Sequence, residues 1–144
     1  MSAAWMMLAC SWHLGRVPAR IDGARPRVEA VGVAEPGLSE SLERALHVAA
    51  ARRLELGSGP ELVLKVESVE VLTRAASGSA LAREAHLDLS LSLLTEPPES
   101  VRISGVQAYT GSDPLQLEAA RRQALHELST RLVEQAVQDL LVAP

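Results

Sequence analysis

The strongest pattern in the chain is an alternation that runs from residue 81 to residue 93. Leu81, Arg83, Ala85, Leu87, Leu89, Leu91 and Leu93 share one phase, and Ala82, Glu84, His86, Asp88, Ser90 and Ser92 share the other. Side chains of a strand point to opposite faces with period two, so this segment reads as a strand with one dry and one wet face. Parallel strands buried on both sides read instead as unbroken apolar runs, so the alternation implies an antiparallel sheet covered on one side. The neighbouring segments are strands whose phase slips. Leu62, Leu64 and Val66 lie in one phase and Val69 and Val71 in the other, which predicts a β-bulge near Glu67-Ser68. Val101 and Ile103 give way to Val106 and Ala108, which predicts a second bulge across Gly105. Ala75 to Ser79 and Glu96 to Glu99 are the turns of a hairpin meander.

Helical periodicity appears on both sides of this sheet. Leu38, Leu42, Ala45, Leu46, Ala49 and Leu54 form an apolar stripe, with Ser39 or Ser41 as its N-cap and Gly57 beyond its end. Ser58-Gly59-Pro60 then reads as a break. Asp113, Pro114 and Gln116 supply a capping carboxylate, a proline at the first helical position and a capping-box partner. They start a long helix with Leu117, Arg121, Leu125, Leu128, Leu132, Ala136 and Leu140 on one stripe and Arg121 turned towards a rim. Arg27 to Val33 is a first strand, closed by Glu35-Pro36-Gly37. The expected fold is α+β, a four-stranded mostly antiparallel sheet with two helices packed on one face, in the order β-α-β-β-β-α. Residues 27–144 form the single domain, and residues 11–26, with Gly15, Pro18, Gly23 and Pro26 among arginines, read as a tether.

Composition narrows the functional classes. A chain of 144 residues fits one domain, and 47% hydrophobic with 22% charged residues excludes disorder as its main state. The net charge of −4 and only three aromatics, Trp5, Trp12 and Tyr109, leave neither an electrostatic footprint nor a stacking platform for nucleic acid. Without phenylalanine the core is aliphatic and offers few of the aromatic walls that line small-molecule sites. His13, His47, His86 and His126 sit on separate elements, and Cys10 is the sole cysteine, so no disulfide, metal set or cofactor is expected. No nucleophile elbow and no glycine-rich phosphate loop occurs, so no catalytic residue is expected either. Arginine supplies 13 of the 14 basic residues. Two of them, Arg74 and Arg83, flank the hairpin at the end of the wet face, where guanidinium forks suit the phosphates of an anionic glycolipid.

The first ten residues carry a different signal. Met1 to Ala9 is uncharged and mostly apolar and closes on a small residue directly before Cys10. This resembles the end of a bacterial lipoprotein signal peptide with its basic start missing, and it makes Cys10 a candidate for lipid attachment. Membrane association is then expected through this anchor only.

Cys10-Ser11-Trp12-His13-Leu14, the strand, helix and three-strand order, and Tyr109 through Asp113-Pro114 leading to Glu118 and Ala119 together resemble the LPS-assembly lipoprotein LptE family. The resemblance implies a non-catalytic lipoprotein on the periplasmic side of the outer membrane. It would act as plug and assembly partner of the LPS-translocating β-barrel LptD and contact lipopolysaccharide. Two other roles suit the same residues: a periplasmic auxiliary lipoprotein of an ABC-type lipid transporter, and a cytosolic α+β module that dimerises through its open sheet face.

Overall fold

The computed structural model describes residues 24–29, 35, 37–54, 56–77 and 80–142. Among them the order is β1 (Ala24–Glu29), α1 (Leu38–Arg53), β2 (Leu56–Ser77), β3 (Ala80–Leu93), β4 (Glu99–Gly111) and α2 (Pro114–Val142). The strands lie side by side in chain order. β2, β3 and β4 form an antiparallel meander, whereas β1 pairs parallel to β2. The sheet is therefore mixed, and α1 is the crossover that makes β1 and β2 parallel.

β3 keeps its alternation. Ala85, Leu87, Leu89, Leu91 and Leu93 are all at most 1% exposed, and they meet the helices. Each leucine so buried contributes about 1.5–3 kcal/mol. β2 carries its bulge at Glu67, because Val66 pairs with Leu89 and Ser68 with Asp88, leaving Glu67 without a partner. The extra residue returns Val69 and Val71 to the covered face behind Leu62, Leu64 and Val66.

The expected bulge at Gly105 is absent. β3 and β4 stay in register from Leu81 opposite Gly111 to Leu93 opposite Glu99. Gly105 instead sits on the covered face beneath α2, where a Cβ would come within 2.8 Å of Leu128 Cδ1 and of Leu132 Cδ2. Val106 and Ala108 point to the open face and are exposed, so the apparent change of phase is a missing side chain under the helix and not a slip of the strand.

β1 also departs from expectation. It covers Ala24–Glu29, so Ala24 to Pro26, the end of the expected tether, is strand, while Ala30 to Val33 lies outside the described residues. Pro26 is tolerated because β1 is an edge strand, and Ala24 is fully buried. The break at Ser58-Gly59-Pro60 falls inside β2, where the register jumps from Ala24 opposite Leu56 to Arg25 opposite Glu61. Arg25 Nε donates to the Gly59 carbonyl across this interruption at 2.8 Å.

The helix starts differ in kind. α1 has no side-chain cap: Gly37, at φ 77°, precedes it in the left-handed region that glycine adopts freely. Its carbonyl accepts from Ser41 N at 3.1 Å, so Ser39 and Ser41 are helical and neither is the N-cap. α2 follows the expected chemistry, with Gln116 N donating to Asp113 Oδ1 at 2.9 Å and Ser112 N donating to Gln116 Oε1 at 3.1 Å. Arg121 stands at the rim, its Nη2 3.1 Å from Glu35 Oε2. α2 packs on β3 and β4, and α1 packs on β1 and against α2.

Gly105→Ala is expected to destabilise by about 1 kcal/mol and Gly105→Val by about 3 kcal/mol, as Leu128 and Leu132 are forced aside. Adding Leu132→Ala should cost less in the Gly105→Val background than in the wild type, a coupling readable from thermal unfolding. A Gly105→Val protein that melts with the wild type would disprove the close approach.

Candidate functional site

The open face of the sheet is built by the same alternation that builds the core. Three rows cross it: Lys65, Ser90 and Arg102; Ser68, Asp88 and Ser104; Glu70, His86 and Val106. The bulge sets their chemistry. It brings Glu67 and Ser68, adjacent in sequence, to the same face, and both engage β3. Ser90 Oγ donates to Glu67 Oε1 at 2.8 Å, and Ser68 Oγ donates to Asp88 Oδ2 at 2.6 Å.

These contacts hold both carboxyls below their ordinary range. For Glu67 the Ser90 hydroxyl is the main cause; desolvation opposes it, and Lys65 and Arg102 add smaller attractions. For Asp88 the hydroxyls of Ser104 and Ser68 dominate, with a smaller attraction from His86. His86 Nε2 lies 3.2 Å from Glu84 Oε2. Serine, histidine and aspartate thus share one face, but their wiring differs from a nucleophilic triad. The Ser68 hydroxyl donates to a carboxylate and the imidazole is paired with Glu84. The face presents a lattice of paired donors and acceptors, suited to contact with another polar surface.

The positions expected from sequence are distributed differently. Cys10 lies outside the described residues, and Arg74 falls in β2 with a side chain outside what the structure describes. Arg83 is not on the wet face. It belongs to the phase of Leu87 and Leu89, opposite Thr73 and Tyr109, so period two turns it towards the helix-covered side. Among the described residues its buried Nε finds no hydrogen-bond partner, and neither does the Tyr109 hydroxyl. Among the described residues no group of three or more histidine, cysteine or acidic side chains is arranged to hold a metal, and no helix is long and apolar enough to cross a membrane.

No family model matches the chain, and no curated protein matches it in sequence. Solved structures do match. A minor lipoprotein from Acinetobacter baumannii superposes with a TM-score of 0.52 at 14% identity, covering 79% of this chain and 90% of that one. A lipoprotein from Caulobacter crescentus CB15 gives 0.50 at 17% identity, covering 81% and 87%. The likeness shows a shared fold: two helices on one side of a mixed sheet is an architecture that bacterial lipoproteins use.

The Asp88 contacts imply a pH dependence with a definite sign. A carboxyl whose pKa is lower in the folded than in the unfolded protein stabilises fully above the unfolded value and loses that contribution as pH falls through the folded one. Stability is therefore expected to drain away below about pH 4. Asp88→Asn should make this acid limb shallower, and Ser104→Ala should raise the Asp88 pKa in an NMR carboxyl titration. An unmoved Asp88 titration in Ser104→Ala would refute the assignment.

Proposed function

We propose that this chain is a non-catalytic, lipid-anchored outer-membrane protein that seats its open sheet face inside the lumen of the LPS-translocating β-barrel LptD and assists its assembly. The observation that carries this reading is the open face itself, with hydroxyls and carboxylates already paired across β2, β3 and β4. Lumens of large barrels are polar, and a surface whose polar groups are held in place binds with little ordering cost. The resemblance at Cys10 to Leu14 and at Tyr109 to Pro114 supports the same reading, as does a fold shared with bacterial lipoproteins. Cys10 supplies the anchor. Contact with lipopolysaccharide falls to the hairpin end of β2 and β3, where Arg74 and Arg83 lie, with Arg83 approached from the helix-covered side.

Purification from detergent-solubilised outer membranes should recover the chain with a large β-barrel near a 1:1 ratio, and mass spectrometry should find a mature N-terminus at a diacylated Cys10. Val106→Glu, on the open face at a side chain 45% exposed, should leave the fold intact and cut barrel recovery about tenfold. Recovery with an inner-membrane transporter complex, or alone from the cytosol with an unmodified Cys10, would defeat the reading.

A further inference from the structure

On the side away from the sheet, α1 and α2 lie parallel. Ser41 Oγ and His126 Nδ1 are 3.3 Å apart near one end of the seam, and Arg53 Nη2 and Glu134 Oε1 are 3.9 Å apart near the other. Between these contacts the seam is open. Arg44, Val48 and Arg52 stand one above another on α1, and His126, Thr130 and Glu134 do the same on α2, because residues four apart share a helix face. A cavity of about 200 Å³ lies between the two stripes, with Ala45 and Ala49 also lining it. Past Ser41 and His126 follows a second cavity of about 420 Å³, with Arg122 and Gln123 in its wall.

Charge indicates the occupant. Arg27, Arg53, Arg121 and Arg122 each meet a carboxylate. Arg44 and Arg52 are exposed and have neither an ion pair nor a hydrogen bond among the described residues. They flank Val48, which is 45% exposed, and stand roughly 12 Å apart along α1. A small-residue floor with an exposed valine between two unmatched cations is complementary to an apolar edge flanked by acids. Glu134 in the groove wall is already met by Arg53, and an anionic membrane is a poorer fit than a single helix because its broad surface would also meet Glu127 and Asp139 on the adjoining face of α2.

We propose that the groove between α1 and α2 receives an amphipathic helix of a partner protein. The apolar edge of that helix would pack on Ala45, Val48 and Ala49, and two carboxylates two turns apart would meet Arg44 and Arg52. This surface is opposite the sheet face assigned above, and its test is independent of the barrel.

The experiment uses the whole chain and a fluorescent Leu/Ala helix about 20 residues long with glutamates two turns apart, beside a twin with lysine at the same positions. The acidic helix should bind and protect the amides of residues 37–54 from exchange. Binding should weaken at least tenfold for the lysine twin and for the double variant Arg44→Glu/Arg52→Glu. Arg44→Gln/Arg52→Gln should fall in between with an unchanged melting temperature. Equal binding of the two peptides, indifference to the double variants, or no binding of the acidic helix overturns the proposal. Capture by phosphatidylglycerol vesicles in its place would assign the arginines to a membrane, and self-association abolished by Val48→Glu would assign the groove to a second copy. Either result overturns it as well.

Discussion

From Ala85 to Leu93 one face of β3 is closed to water while the other reaches it, and everything else in the molecule takes its place from that division. β3 is paired on both sides, to β2 and β4, so its two faces become the two faces of most of the sheet. Slipping either partner by one residue would turn leucines out and serines in, at a cost far above that of a single cavity. The bulge at Glu67 keeps this constraint over the long β2 strand: one unpaired residue restores the apolar phase behind it. The same residue joins the polar lattice on the other side, so one local irregularity serves both the core and the surface.

The helices press on this sheet with little spare room. α2 comes so near β4 that any Cβ at position 105 would have to push aside the tips of Leu128 and Leu132, which occupy the space a side chain would take. Close approach at that point also lets Arg131 reach across the edge of the sheet, where Nη2 donates to the Val106 carbonyl at 3.1 Å and Nη1 to Gln107 Oε1 at 3.3 Å. A guanidinium on the outer carbonyl of an edge strand obstructs pairing with another strand. Beyond the β4 edge lie two broad surfaces of different character, the open sheet and the helix seam. The first is polar and internally paired; the second combines small apolar residues with two arginines that have no ion pair among the described residues.

Much of this was legible in the residues themselves. The alternation of β3, the bulge at Glu67, the stripes of both helices and the Asp113 cap are local patterns, and period or turn chemistry determines each within a few residues. The wet face of the candidate site was legible for the same reason. Its hydrogen-bond wiring was not, since Ser68 with Asp88 and Glu67 with Ser90 join residues 20 and 23 positions apart.

Tertiary structure decided the rest. A change of phase at Gly105 reads as a bulge when β4 is considered alone; it becomes a site of close packing only when α2, more than twenty residues later, is laid over it. β1 starts earlier than its own pattern shows, because pairing with β2 selects Ala24–Glu29 and the edge position makes Pro26 harmless. The period of β3 already assigns Arg83 to the covered phase, but the Tyr109 opposite it belongs to another strand. The groove between α1 and α2 has no counterpart in sequence at all. Its two stripes are ordinary exposed helix faces until packing brings them side by side, because a local pattern determines which way a side chain faces and only long-range packing determines what it faces.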